Sequence, residues 1–321
     1  MSTTQLAVVI PAYKSRYFRE TLASLARQTD RDFKVYIGDD ASPEPLEEIV
    51  REFSDRMPIH YVRFGKNLGH ISLTKHWERC VGLSNEPWIW MFSDDDVADE
   101  NCVENFYLEL KATGGRHDLY RFNTVSIGGD GRPLSENAAH PQNESGADFL
   151  VARLRGRRTS FAQELIFSRA AYELTGGFPD FPLAWASDDA FTAQMGVRKT
   201  IHVIPGARVS WRLSGQNISG ENSRGTAAQK IQACREFVQW AVAYLQKHPP
   251  SRHLPTNGEL AALFEDWFFL QMIYIRRLIN FKTSLEIDKL AAEAWHHRRG
   301  YGFLKAMKFN TQMARDKFFN S

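Results

Sequence analysis

Three carboxylates stand side by side at Asp94, Asp95 and Asp96, directly after Ser93 and the apolar run Trp88-Ile89-Trp90-Met91-Phe92. Adjacent carboxylates repel one another, and a hard divalent cation such as Mg²⁺ or Mn²⁺ offsets that repulsion. Such an ion is held by one or two carboxylates and completes its shell with water and substrate phosphates. The triplet therefore suggests a phosphorylated, nucleotide-bearing substrate. Taken alone it reads equally well as a solvated acidic loop, so the elements around it have to decide.

Those elements alternate. Leu6-Ala7-Val8-Val9-Ile10 is a short apolar run that stops at Pro11, as a buried parallel strand does. Phe18, Leu22 and Leu25 recur at helical spacing, so a helix is expected to about Gln28. Phe33, Val35 and Ile37 return to strand periodicity and end at Gly38-Asp39-Asp40-Ala41-Ser42, with Ser42-Pro43 opening a second helix. A third strand over 59–64, the turn Asn67-Leu68-Gly69 and a third helix lead to the strand at Trp88. This order predicts an α/β fold with a mostly parallel sheet and helices on both faces. In such sheets ligands bind outside the carboxyl ends of the strands. Pro11-Ala12-Tyr13, Asp39-Asp40, Asn67 and the acidic triplet all fall there, which weakens the solvated-loop reading.

The middle of the chain is less regular. Residues 118–127 read as a strand, Gly128-Gly129-Asp130-Gly131 as a turn, 135–147 as a polar loop and 163–167 as a strand. A short helix over 170–175 precedes the Gly176-Gly177-Phe178 break. Asp188-Asp189 then opens a helix to about Gly196, and 202–204 form a further strand. From Gly225 onward the pattern is helical and aromatic. The expected division is a nucleotide-binding domain over 1–222 and a helical subdomain over 223–321.

The 321 residues suffice for one large core and an appended unit. Residues 226–321 carry 14 Lys/Arg against 8 Asp/Glu, and the rest of the chain 26 against 30, so the C-terminal third is basic. Cys80, Cys102 and Cys234 have no metal-ligand spacing and read as free buried thiols of a reducing compartment. No secretory signal is legible at the N-terminus. The stretch 260–279 is broken by Glu265, Asp266, Arg276 and Arg277, which disfavours a membrane span. A cytoplasmic protein is expected.

The series Val9-Ile10-Pro11-Ala12-Tyr13, Gly38-Asp39-Asp40-Ala41-Ser42, Asn67-Leu68-Gly69, Ser93-Asp94-Asp95-Asp96, Gly176-Gly177-Phe178 and Asp188-Asp189 resembles the family 2 glycosyltransferases of GT-A fold, over about residues 6–220. The resemblance implies inverting transfer of a sugar from a nucleotide-sugar donor to an acceptor hydroxyl. It sets Pro11, Ala12 and Tyr13 against the base, with Asp40 accepting a hydrogen bond from it and Asp39 assisting, which suits uracil and a UDP-sugar. It makes the triplet a metal-diphosphate site, with Asp96 as first metal ligand and Asp94 or Asp95 on the ribose or a metal-bound water. Ser93 stands where many relatives have the first acid. Asp188-Asp189 matches the acidic pair that supplies the general base, Asp189 ahead of Asp188. Local sequence supports an N-cap pair equally.

Trp211-Arg212-Leu213-Ser214-Gly215-Gln216-Asn217-Ile218-Ser219 occupies the place of the loop that closes over the diphosphate in relatives, and Arg212 offers it a positive charge. The histidine that many relatives carry there as a metal ligand is missing. Gln163-Glu164 reads as acceptor-facing or, more simply, as a buried strand-end pair. His70, Lys75 and His76 read as a solvated helix face more readily than as phosphate ligands. Arg276-Arg277, His296-His297-Arg298-Arg299, Lys305 and Lys308, interleaved with Phe303 and Phe309, fit a helical subdomain, a dimer contact or an anionic membrane surface on the inner face. Nucleic acid is disfavoured by the near-neutral total charge.

The expectation is a metal-dependent, inverting, single-addition glycosyltransferase acting on a glycan or lipid-linked glycan in bacterial surface-polysaccharide synthesis. A sugar-phosphate nucleotidyltransferase lacks its glycine-rich loop here, and a dinucleotide oxidoreductase its Gly-X-Gly-X-X-Gly. A non-catalytic nucleotide-sugar or glycan-binding module remains the alternative.

Overall fold

The structure is a computed structural model that describes residues 5–215, 217 and 224–251, with the isolated residues 259, 263, 264, 267 and 271. Its centre is a ten-stranded sheet whose main path runs β3-β2-β1-β4-β9-β6-β10-β5. Strands β1 (Leu6–Ala12), β2 (Phe33–Asp39), β3 (Ile59–Arg63) and β4 (Trp88–Met91) pair in parallel. β5 (Val97–Ala98) lies antiparallel at the far edge against β10 (Ile201–Arg212), while β6 (Leu119–Ile127) runs parallel to β10. β7 (Pro133–Glu136) and β8 (Asn143–Glu144) flank this half, and β9 (Leu165–Ser168) joins it to β4 through antiparallel pairs.

Strand alternation sorts β1 into two cores. Leu6, Val8 and Ile10 face a cluster built with α1 (Phe18–Leu25), α2 (Leu46–Arg51) and α4 (Cys102–Thr113). Ala7 and Val9 face a second cluster with α3 (Leu73–Val81), α5 (Gly146–Leu154), α6 (Arg169–Thr175), α7 (Ser187–Met195) and α8 (Arg224–Lys247). Cys234, Phe237 and Ala241 place α8 in the same core as α5 and α7. The division at 222/223 falls among residues outside the described ones, as do most of 252–321, including the broken apolar stretch and the basic clusters. The three cysteines are free and buried. Among the described residues no helix is long and apolar enough to cross a membrane.

Several boundaries differ from the sequence reading. The second helix starts at Leu46, because Ser42 is consumed by the loop: its N–H donates to Asp39 Oδ1 at 2.7 Å and its hydroxyl to the Tyr13 carbonyl at 2.6 Å. The stretch 135–147 is no plain loop; it contributes the end of β7, β8 and the start of α5, which Ser145 caps by accepting from Asp148 N at 3.1 Å. Strand β9 begins only at Leu165, after a 3₁₀ turn over Ala162–Glu164. The largest difference is β10. Pro205-Gly206 marks a register shift between Ile204 and Arg208 rather than a strand end, and pairing resumes as far as Arg212.

Candidate active site

The acidic triplet leaves β4 and is divided by its hydrogen bonds. Asp94 Oδ2 accepts from the N–H groups of Tyr13 and Lys14, each at 2.8 Å, which ties the triplet to the end of β1. Asp96 is held from the other side, with Oδ1 accepting from Arg212 N at 2.7 Å and Oδ2 from the Ser93 hydroxyl. Asp95 Oδ2 is buried with no hydrogen-bond partner, and Lys14 Nζ stands 3.6 Å away. Burial, and then the neighbouring carboxylate Asp95, raises the pKa of Asp96 well above the ordinary range. Burial raises that of Asp94 also, against the opposing pull of Lys14. Burial draws the Lys14 ammonium down, yet Asp94, Asp95 and Asp96 together hold it above its usual value.

Among the described residues no three His, Cys, Asp or Glu side chains converge as a preformed metal cluster. The donor set still suits a magnesium-type ion, which takes one or two carboxylates and fills its shell with water and phosphate. Asp95 Oδ2 is the oxygen that answers this description. Both Asp96 oxygens, expected first on the metal, already accept one protein donor each, so Asp95 Oδ2 is the more open of the two to such an ion.

Arg212 also departs from expectation. It is the last residue of β10 and 1 % exposed, while part of the expected loop, residues 216 and 218–219, lies outside the described residues. Its guanidinium donates to the Asp95 carbonyl at 2.8 Å and to Glu20 Oε2 at 2.6 Å, and lies 4.4 Å from the Tyr17 ring centre. Arg212 therefore braces the triplet from behind.

The ends of β1 to β3 form one connected rim. Pro11 is partly buried and Ala12 buried, while the Tyr13 ring is 40 % exposed and available to a planar ligand. Asp39 accepts from Ser42 N, Tyr61 Oη at 2.5 Å and Arg63 Nη1 at 2.9 Å. Asp40 accepts from Leu68 N at 2.7 Å, Gly69 N at 2.8 Å and the Arg79 guanidinium. A carboxylate offers about four acceptor sites, so each keeps about one. A Cβ at position 69 would stand 2.6 Å from Asp40 Oδ2, which is why glycine follows Leu68. Asn67 Oδ1 accepts from His70 N at 3.0 Å and shapes the same turn. His76, expected on a solvated face, is buried; burial lowers its pKa to about 4, and Arg79 Nε donates to its Nδ1 at 3.1 Å. Lys75 is exposed and paired with Glu78.

Asp188 and Asp189 lie in the first turn of α7, whose cap is Ala186 with φ 63° and no side-chain cap. The N-cap reading of the pair therefore fails. Asp189 is buried and bound through both oxygens by Arg153 of α5, at 2.6 and 2.8 Å. Asp188 is only partly buried, and its Oδ1 accepts from Asp189 N at 3.0 Å. Burial first, then the Asp189 charge, pushes the pKa of Asp188 up to about 7 against the pull of Arg153. Gln163 and Glu164 are buried, as the simpler reading held. The Gln163 carbonyl accepts from Trp90 Nε1 at 2.9 Å, so the turn beside α7 is tied to the strand that carries the triplet. Sequence reasoning missed Lys14 and Arg153. Lys14 adjoins a motif already singled out, whereas Arg153 sits on a helix whose opening was read as loop.

This fold gathers acidic and basic side chains at the carboxyl ends of parallel strands, as α/β enzymes do. Residues 7–169 match the family model "Glycosyl transferase family 2", and the chain belongs to that family. It is 47% identical over 110 residues to chondroitin synthase of Escherichia coli, covering 33% of this chain and 16% of that protein. It is 43% identical over 68 residues to validoxylamine A glucosyltransferase of Streptomyces hygroscopicus subsp. jinggangensis (strain 5008), covering 20% and 16%. The matched stretches thus span about one sixth of these relatives. S. aureus TarS 1-349 superposes with a TM-score of 0.67 at 12% identity over 99% of this chain and 92% of that one. Its complex with UDP-GlcNAc superposes at 0.58 and 15% identity, with the same coverage. At that identity the likeness establishes the shared GT-A fold.

Proposed function

We propose that the chain transfers a sugar from a UDP-sugar to a hydroxyl of a glycan or lipid-linked glycan, with inversion at the anomeric carbon. The observation that carries this reading is the pairing of two unlike acids on one scaffold. Asp95 presents a buried, unpartnered oxygen beside Lys14, and Asp188 is a partly open carboxylate whose pKa is pushed up to about 7. The first suits the leaving diphosphate, the second the attacking hydroxyl.

The Tyr13 ring covers the base, and the remaining acceptor capacity of Asp40 serves a ring N–H, while Asp39, fully buried, assists by holding Tyr61 and Arg63 at the rim. TarS has been solved with UDP and with UDP-GlcNAc, which supports a uridine nucleotide here. Mg²⁺ or Mn²⁺ would be held by Asp95, with Asp94 beside it, and when bound would neutralise charge on the leaving diphosphate. Lys14 adds a protein cation at the same place. Asp188 removes the proton of the acceptor hydroxyl as it attacks, since a base of pKa near the working pH transfers protons most effectively. Asp189, expected as the base, is occupied by Arg153 and instead keeps α7 in position. A cytoplasmic setting in surface-polysaccharide synthesis, with peripheral membrane contact or self-association through the basic C-terminal third, belongs to the same proposal.

The test is release of UDP from a panel of UDP-sugars with Mn²⁺, with and without glycan acceptors. Turnover with at least one donor, lost in Asp95→Asn and Asp188→Asn, is the expected result. Nucleotide binding without turnover on any donor or acceptor would instead identify a binding module.

A further inference from the structure

A cleft of about 520 Å³ lies between the loop that carries Gly69–Ser72, the segment Asp180–Leu183 and the first turns of α8. Resting on the transfer reaction proposed above, we infer that this cleft receives the acceptor, and that it takes an uncharged, hydroxyl-rich sugar residue and excludes acidic ones.

Position is the first argument. The cleft wall is joined to the proposed base, since Phe181 N donates to Ser187 Oγ at 3.3 Å and Ser187 immediately precedes Asp188. Between them Leu183, Ala184 and Ala186 hold φ values of 60°, 52° and 63°, which side chains other than glycine rarely adopt. Such conformations persist where the surroundings over-determine them. Here α8 does so: Phe237 packs against Phe181 with ring centres 5.9 Å apart, and Lys230 Nζ lies 4.7 Å from the Trp185 ring centre. In an inverting displacement the hydroxyl attacks from the side opposite the leaving group. With the diphosphate assigned to the triplet, the acceptor enters from the side of Asp188, and the Phe181–Ser187 contact joins the cleft wall to the turn that carries it.

Chemistry is the second. Asp180 is exposed, and only its Oδ1 is engaged, accepting from Ser72 Oγ at 2.8 Å and from the Thr74 hydroxyl. Across the cleft Gln232 Nε2 donates to Glu236 Oε1 at 2.6 Å. These groups accept from and donate to sugar hydroxyls, while Ile71, 73 % exposed, and Leu183 offer an apolar surface to a pyranose face. Among the described residues that line the cleft there are two carboxylates and no lysine or arginine. A uronate or phosphate carried here would meet two like charges, with the His70 imidazole as the one side chain of this lining able to become cationic. The volume falls within the range of small-ligand sites, about 300–1,000 Å³.

The experiment uses the full chain, the donor found active in the UDP-release screen, and paired acceptors: aryl glycosides of neutral hexoses or N-acetylhexosamines and of the corresponding uronic acids. Neutral acceptors should be glycosylated, and uronates at least tenfold less efficiently. Asp180→Asn and Glu236→Gln should each raise the acceptor KM about tenfold, the effect of one lost charge-assisted hydrogen bond. Glu236→Lys should narrow the preference against uronates. The rise in melting temperature given by UDP with Mn²⁺ reads the nucleotide side separately. Equal use of uronates by the native chain, or an unchanged acceptor KM in both neutral variants, overturns the inference. So does a raised KM matched by an equal loss of the UDP-induced shift, which would make the cleft part of the donor site. Absence of turnover with every donor would instead strike the proposed transfer reaction itself.

Discussion

Arg153 claims both oxygens of Asp189, Nε meeting Oδ1 at 2.6 Å and Nη2 meeting Oδ2 at 2.8 Å. A bidentate guanidinium pair occupies both oxygens of the carboxylate it binds and fixes its plane. Two adjacent acids on one helical turn are thereby driven apart in character. Asp189 becomes a charged strut between α5 and α7, and Asp188, next to that charge and partly buried, keeps its proton more readily. Divergent neighbours of this kind are how acid and base roles are divided in active sites.

Asp188→Asn should therefore reduce transfer about 100-fold or more, the usual worth of a positioned general base, and near neutral pH its melting temperature should rise, because the cost of an ionised Asp188 is removed. Asp189→Asn should be read first in stability. It leaves a mostly buried Arg153 without its carboxylate, a loss of about 3 kcal/mol on the scale of broken buried pairs. Steady-state kinetics beside thermal melts of both variants separate the roles. An active, stable Asp188→Asn with a stable but inactive Asp189→Asn would reverse them.

The pH dependence follows from the same group. As the proposed base, Asp188 would act only when ionised, so kcat/KM should rise about tenfold per unit below its pKa near 7 and level above it. Stability moves the opposite way. An unfolded aspartate releases its proton near 3.9, so between about 4 and 7 the folded chain binds more protons than the unfolded one. Unfolding free energy then falls as pH rises through that window. Melting temperatures of Asp188→Asn across pH 4 to 8 should lack this component of the slope, and a parallel pair of curves would contradict it.

Much of this site was legible because it sits where short motifs meet strand ends. Pro11-Ala12-Tyr13, Asp39-Asp40, Asn67 and the triplet all lie on the rim that alternating strands and helices predict. What escaped was the partner of each acid. Nothing in the spacing of Arg153 and Asp189, 36 residues apart, signals a pair, and α5 opens in a polar stretch. Arg212 was misread because Pro205-Gly206 is a breaker signal by itself, and only pairing with β6 carries β10 past it. Ser93 left the triplet's register open, and the hydrogen bonds that divide it come from residues as distant as Arg212.

That division predicts distinct outcomes for two neighbouring acids. Asp95→Asn should abolish the extra rise in melting temperature that Mn²⁺ gives to UDP, because it removes the charge from the carboxylate whose Oδ2 is buried without a hydrogen-bond partner. Asp96→Asn should lower the melting temperature without ligand, by loosening the contact to Arg212 N, and keep part of the Mn²⁺-dependent shift. If UDP stabilises the native chain equally with Mn²⁺ and with EDTA, the metal-bridged diphosphate is wrong.

The strut between α5 and α7 exists because two glycines let the helices touch. Gly146 N donates to the Gly196 carbonyl at 2.9 Å, and a Cβ on Gly146 would stand 2.0 Å from the Ala193 carbonyl oxygen and 2.5 Å from Tyr244 Oη. Tyr244 of α8 donates to that same carbonyl at 2.7 Å, so three helices share the crossing. Backbone on the receiving side cannot yield as a side-chain tip can, and Gly146→Ala should cost about 3 kcal/mol or more. It should also lower transfer, because any separation of α5 from α7 draws Arg153 off Asp189. Gly225→Ala is the contrasting case: the position is helical and exposed, and a Cβ there meets nothing within 4 Å. It should stabilise α8 by up to about 1 kcal/mol. Thermal melts of both variants check the pair. Equal stability in the two would mean that the glycines do not set the helix spacing, and that the Arg153–Asp189 contact is held by something else.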